Sequence, residues 1–320
     1  MPGGASVHNG FVRPRALVTI LTLQLAAGLA VIGLLWGGSP FARETSGAGA
    51  APSPAGPCPA GRAPRAVRDA FDGRRAFTLL ERQVRLGPRP AGSRAGRRLA
   101  GELRRMLPAG RFQPVPGGLR NVVGTVPGRE RSRVVVVGAH YDTKDVPGFV
   151  GANDGAGGTA AVVELARSIR PRKLRATLRF VLFDGEESPP GASDEEFEAR
   201  GLRGSKVAAR AFHGAEAMVL LDFVADSELS IPREAGSDPR LWARLRSAAT
   251  RAGVGCVFPA ETRGAVLDDH VPFARAGVPS IDLIDFDFPC FHQRCDDLSA
   301  VSERNLDASG EAVRELLSTL

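Results

Sequence analysis

The sequence predicts an α/β fold, a three-layer αβα sandwich around a central mixed, mostly parallel sheet. Three observations carry that expectation. Continuous β-branched or apolar runs such as RVVVVG, LRFVLF and AMVLLDF read as strands buried on both faces. Segments with apolar residues at helical spacing alternate with them, the pattern of parallel strands joined by crossover helices. Nearly every run also ends in an acid or a histidine, and sites in open α/β sheets gather at the carboxyl ends of the strands.

Taken in order, residues 67–84 and 94–107 read as amphipathic helices, with Leu99, Leu103 and Leu107 on one stripe of the second. Residues 121–126 and 133–138 read as strands. Residues 155–169 form an apolar-periodic helix whose Ala160, Val163, Leu165 and Ala166 face a sheet. A strand at 178–183, a helix at 204–212, a strand at 217–223 and a helix at 239–252 follow. A short helix at 271–276, a strand at 279–284 and a terminal helix at 302–320 finish the fold.

A polypeptide of 320 residues holds one large domain of roughly 200–250 residues plus appendages. Residues 16–36 carry no charge, and about 20 apolar residues suffice to span a bilayer as a helix. Arg13 and Arg15 precede them, which puts residues 1–15 in the cytoplasm as a tail and exports the rest. The apolar core is longer than that of a signal peptide, and no clean small-x-small cleavage site follows it. The expectation is therefore an uncleaved transmembrane anchor, with secretion after cleavage as the alternative. Residues 37–64 are mostly Ala, Gly, Pro and Ser and read as a flexible tether, leaving 65–320 as the folded domain.

The net charge of +7 does not point to nucleic acid. Five Arg against the single acid Glu44 put +4 of it in residues 1–66. Only three of the 42 basic residues are Lys, and one Tyr and two Trp leave few stacking platforms.

The strand ends carry the chemistry. GAHYD supplies His140 and Asp142, GANDGAGG supplies Asp154, and FDGEE supplies Asp184, Glu186 and Glu187. Asp222, the run Asp268, Asp269 and His270, and finally His292 complete the set. Each has an ordinary reading alone: a loop histidine, a helix cap, a solvated Glu-Glu pair. Together, carboxylates at adjacent strand ends would repel unless a cation holds them. Mixed imidazole and carboxylate donors without Cys suit Zn²⁺ in a site with an open position. Successive extended residues point to opposite sides, so one of Glu186 and Glu187 binds metal and the other faces substrate as a base. Asp142, two residues past His140, is placed to receive the other imidazole nitrogen.

Seven blocks in order carry a resemblance: GAHYDT, GANDGAGGTAAVVELAR, FVLFDGEE, GSKVAA, VLLDF, DDHVPFARAGVPSIDLI and FPCFH. From about residue 75 onward the sequence resembles the zinc-dependent exopeptidases of metallopeptidase family 28, which include the glutaminyl-peptide cyclotransferases. The two-zinc aminopeptidases of that family imply His140, Asp154 (bridging), Glu187, Asp222 and His292 as metal ligands, with Glu186 as general base. The cyclotransferases imply one zinc on Asp154, Glu187 and His292. Glu186 would then shuttle a proton from the substrate's α-amine to departing ammonia, supported by Asp222 and Asp268. Either way, residues 65–320 become an extracytoplasmic zinc enzyme, at the cell surface or in the periplasm, acting on peptide or protein N-termini.

Asp268, the sixteen residues between Glu187 and Gly204, and the apolar stretch before His292 resemble the cyclotransferase branch. Phe291 where that branch usually has Trp, an insert with Phe197 as its one aromatic, HQRCDD in place of His-Thr-x-x-Asp, and the peptidase-like NDGAGG depart from it. The balance tips slightly to cyclotransferase, with the two-zinc aminopeptidase as the alternative. An ectodomain that has lost its metal and only binds a partner is the alternative of another class. In an exported domain Cys290 and Cys295, which bracket His292, either form a disulfide that stiffens its loop or remain free thiols. Cys58 falls in the tether, and Cys256 reads as buried after a helix.

Overall fold

The computed structural model describes Cys58, residues 62–171 and residues 174–320. The segments 1–15 and 16–36 and most of 37–64 lie outside the described residues. Among the described residues no helix is long and apolar enough to cross a membrane.

Two helices come first, α1 (Gly73–Arg85) and α2 (Arg94–Met106). The expected helix over 67–84 starts late because Asp72 caps it, its side chain accepting from Arg75 N. The segment before the cap is held differently: the N–H groups of Ala70 and Phe71 donate to Glu311. Strands β1 (Arg111–Val115), β2 (Leu119–Val126) and β3 (Glu130–His140) follow, then helix α3 (Gly158–Ser168) and strand β4 (Ala176–Phe183). A short helix α4 (Phe197–Arg200) lies within the insert and precedes α5 (Arg203–Ala211) and β5 (Ala217–Leu221). Next come β6 (Arg233–Glu234), α6 (Pro239–Ala252), β7 (Thr262–Arg263), α7 (Val271–Arg275), β8 (Ser280–Leu283) and α8 (Glu303–Leu317).

The main sheet runs in the order β1-β2-β4-β3-β5-β8. Its outer pairs β1/β2 and β2/β4 are antiparallel, whereas β4/β3, β3/β5 and β5/β8 are parallel. This is the three-layer sandwich with a mixed, mostly parallel sheet that the sequence predicts. Period-two alternation along the strands separates two cores. Val135, Val137, Val219 and Leu221 join the larger cluster with Leu80, Leu99, Leu165 and Leu306, covering one face with α1, α2, α3, α6 and α8. Val136, Met218 and Leu220 join Ala208 and Phe273, so α5 and α7 cover the other face. Strand β1 escaped the sequence reading because it is a half-exposed edge with Arg111 and Pro114 turned out.

Two expectations need correction. The helix expected from residue 155 begins at Gly158, because Asp154 (ψ 99°) and Gly155 (φ 90°) have non-helical backbone within the turn 152–157. A side chain at Gly155 would also meet the Asp142 carbonyl at 2.7 Å. The boundary at 65 is drawn too late. Cys58 forms a disulfide with Cys256, and the buried Ala63 donates its N–H to Asn305 Oδ1 at 3.0 Å. Cys256 is thus paired rather than simply buried, and Cys290 is joined to Cys295.

Helix α3 approaches β5 so closely that a Cβ on Gly158 would lie 2.0 Å from the Leu221 carbonyl oxygen. Gly158→Ala should therefore cost about 2–3 kcal/mol of stability, typical of overpacking. A urea titration should show a lower midpoint with an unchanged slope.

Candidate metal centre

Adjacent strands deliver the site. His140 is the last residue of β3, Glu186 and Glu187 follow β4, Asp222 follows β5, and the loop after β8 brings in His292. Asp154 enters from the non-helical turn before α3.

His140 Nε2 lies 3.2 Å from Asp154 Oδ1 and 3.4 Å from Asp222 Oδ1. His292 Nε2 lies 3.5 Å from Asp154 Oδ2 and 3.5 Å from Glu187 Oε1. Asp154 therefore turns one oxygen toward each histidine. Two triplets result, His140–Asp154–Asp222 and Asp154–Glu187–His292, each with its donor atoms within 4.8 Å of one another. All five residues expected as ligands are gathered together.

This donor set fits a divalent metal. Asp154 Oδ2 and Glu187 Oε1 are buried without a hydrogen-bond partner, which is costly unless a cation accepts them. Burial and then the charge of Asp154 raise Glu187 well above the usual carboxylate range. Burial raises Asp222 to about 7, with His140 pulling the other way. Nitrogen and carboxylate donors, with the half-buried His292 on the open side, suit zinc.

Two loops hold the Glu-Glu turn. Asp142 Oδ1 accepts from Gly185 N (3.0 Å) and Glu186 N (3.3 Å), and Oδ2 accepts from Glu187 N (3.2 Å). On the opposite side Arg203 donates to the carbonyls of Gly185 and Glu187. This corrects the part expected of Asp142. His140 Nδ1 faces the Asp142 backbone carbonyl at 3.1 Å, while the nearest Asp142 carboxylate oxygen is 3.9 Å away. The carboxylate is committed to the turn instead. Burial pushes it up to about 6, partly offset by His140.

Glu186 Oε2 stands 4.0 Å from His140 Nδ1 on the wall of a cleft of about 270 Å³. Burial and then the charge of Glu187 hold Glu186 well above the ordinary range. Asp268 lines the same cleft, with Phe197, Phe223 and Phe291 on its apolar side. Phe291 stacks on His292 with ring centroids 3.8 Å apart. His292 (φ 54°), Phe223 (φ 46°) and Leu202 (φ 53°) adopt left-handed backbone beside these groups.

Other strand-end residues do not join. Asp184 accepts from Arg120 N at 2.9 Å. Asp269 is buried outside both triplets, and His270 sits between Glu234 (3.4 Å) and Asp282 (3.6 Å). Of the two acids in HQRCDD, Asp296 is buried and accepts from Asn153 N and Asp154 N, whereas Asp297 accepts from Ser299. Sequence reasoning missed Arg89, Lys144 and Arg203. Lys144 Nζ lies 3.9 Å from Glu187 Oε2. Arg89 lies between two prolines, Lys144 in a loop and Arg203 at a helix start, and none of these settings carries a periodic signal. A larger groove of about 1050 Å³ beside residues 62–74 includes none of the ligands. Its acid Asp307, and Glu311 one turn further along α8, accept backbone N–H groups.

A mixed αβα sandwich with paired His/Asp/Glu triplets at its strand ends defines the zinc-exopeptidase class. The profile of peptidase family M28 matches residues 121–317. The chain belongs to this family. It is 30% identical to aminopeptidase YwaD of Bacillus subtilis over 196 residues, covering 56% of this chain and 39% of that protein. It is 29% identical to the glutaminyl-peptide cyclotransferase of Bos taurus over 228 residues, covering 58% of this chain and 61% of the relative. The match thus spans about half the length of these curated relatives. A glutaminyl cyclase of Porphyromonas gingivalis superposes with a TM-score of 0.70 at 29% identity, covering 79% of this chain and all of that one.

Two outcomes follow from the geometry. Asp142→Ala leaves three buried N–H groups without an acceptor and should destabilise the protein by about 2–4 kcal/mol, measurable by chemical denaturation. Chelator-treated protein should lose stability as pH rises from about 4 to about 7. Over that window Asp142 (about 6), Asp222 (about 7) and Asp296 (about 7) keep protons that the unfolded state has already released. Added Zn²⁺ should therefore raise the melting temperature more at pH 8 than at pH 5, because protons compete for the ligands.

Proposed function

We propose that this domain is a zinc-dependent enzyme acting on the N-terminal residue of peptides or proteins, and that it cyclises N-terminal glutamine to pyroglutamate with release of ammonia. The observation that carries this reading is one cleft lined by Glu186 and Asp268, by the Asp154–Glu187–His292 triplet and by Phe197, Phe223 and Phe291. At about 270 Å³ the cleft is small for a ligand pocket and suits one terminal residue better than an extended peptide. Phe291, where the cyclotransferase branch usually has tryptophan, lines the cleft together with Phe197, the one aromatic of the insert, so an apolar surface is kept there.

Asp154, Glu187 and His292 would hold the metal. When bound, zinc supplies polarisation of the substrate carbonyl. The α-amine nitrogen of glutamine attacks its own γ-carbonyl carbon, a new ring bond forms between them, and the bond from that carbon to the amide nitrogen breaks. Glu186 takes a proton from the amine and returns it to the departing nitrogen, which leaves as ammonia. The charge of Asp268 bears on Glu186 and on Asp222.

A second reading, peptide hydrolysis by a two-metal aminopeptidase, is favoured by the intact His140–Asp154–Asp222 triplet. Glu186 would then take its proton from water. The proposal also puts the domain outside the cytoplasm, anchored through residues 16–36 or secreted after cleavage there. The disulfides Cys58–Cys256 and Cys290–Cys295, which account for all four cysteines, support that location.

Glu186→Gln should lower turnover by about 10²–10⁴-fold while leaving bound zinc unchanged. Offered Gln-initiated and Leu-initiated peptides, the wild-type domain should release ammonia from the first and no free leucine from the second. Free leucine without ammonia would establish hydrolysis instead.

A further inference from the structure

Arg89 is among the largest fully buried side chains of the described residues, and nothing in the proposed reaction uses it. A buried guanidinium is expensive unless its donors are satisfied and its charge is matched. Here Nη1 donates to Val150 O at 2.6 Å and Gly87 O at 3.2 Å, and Nη2 donates to Gly151 O at 3.2 Å, while the buried Nε has no hydrogen-bond partner. The backbone of Arg89 is locked as well: its N–H donates to Thr143 Oγ1 (2.9 Å) and its carbonyl accepts from Thr143 N (3.3 Å).

These acceptors flank the ligands. Thr143 follows Asp142, and Val150 and Gly151 lead directly into the turn that carries Asp154. Gly151 itself stands in the left-handed region (φ 51°), so the segment needs a firm hold there. On the far side of the turn, Asp296 takes the N–H groups of Asn153 (2.7 Å) and Asp154 (3.1 Å). The turn is thus gripped by its carbonyls from Arg89 and by its amides from Asp296. Burial draws Arg89 down to about 10, while the charges of Asp154, Asp296 and Asp142 act against that, so it remains a cation at neutral pH.

We propose that Arg89 is a positioning residue for the metal centre: its guanidinium fixes the 150–151 carbonyls so that Asp154 presents one oxygen to each histidine before any ion binds. This rests on reading Asp154 as a metal ligand. It predicts that loss of the guanidinium weakens metal binding beyond any general loosening of the fold.

The test measures the zinc dissociation constant by competition with a chromophoric chelator, on folded wild type, Arg89→Met, Arg89→Lys and the core truncation Leu103→Ala on helix α2. Arg89→Met should bind zinc about 10–100-fold more weakly, the range for groups that orient ligands. Arg89→Lys should fall between, and Leu103→Ala should match wild type. If Arg89→Met does not fold, a several-fold weakening in Arg89→Lys carries the result. Zinc held equally by wild type and both Arg89 variants would overturn the inference, as would equal weakening in Leu103→Ala. A wild-type domain that binds no zinc would sink the metal reading and this inference with it.

Discussion

Like charges buried within bonding reach of each other constrain the molecule more than any other feature. Asp154, from the turn before α3, meets Glu187 and Asp222 at the ends of strands, and two of their oxygens have no hydrogen-bond donor. Burial drives Glu187 and Asp222 toward their neutral forms, whereas at Asp154 the same burial is outweighed by His140, which holds that carboxyl below its ordinary value. The parallel sheet brings Glu187 and Asp222 to one edge, since β4, β3, β5 and β8 lie side by side, and the turn before α3 adds Asp154 there. A divalent cation turns that repulsion into binding energy, and so ties chemistry to fold in one interaction.

The surroundings are arranged to keep the ligands still. Asp142 and Arg203 hold the two faces of the Glu-Glu turn. Asp296 links the loop of His292 to that of Asp154, and the Cys290–Cys295 bridge closes a loop around His292. The supporting groups bind backbone atoms more than the ligands themselves, so backbone shape governs donor spacing.

Much of this was legible in the sequence, and the reasons are specific. Buried strands such as RVVVVG announce themselves by unbroken β-branched content, and a strand that ends in His140 or Asp222 points that residue at the site edge. The five ligands were implied by the family resemblance that seven motifs in order carry, and parallel topology accounts for His140, Glu187 and Asp222 meeting at one edge. Other features left no local trace. The pairing of Cys58 with Cys256 joins positions 198 residues apart. The choice of His140 for the Asp142 carbonyl over its carboxylate depends on a turn that the carboxylate itself organises. Strand β1 and the buried Arg89 lack the periodicity by which core elements are recognised.

The left-handed backbone at His292, Phe223 and Leu202 has a consequence for engineering. Non-glycine residues hold such conformations at a cost of order 1–3 kcal/mol each, sustained only by their neighbours. Glycine at those positions would relax the backbone, yet it would also remove an imidazole or an aromatic wall and slacken the loops between them. Thermostability sought there would be exchanged for function, so the scaffold's tolerant positions for improvement lie elsewhere, on the helices that cover the sheet.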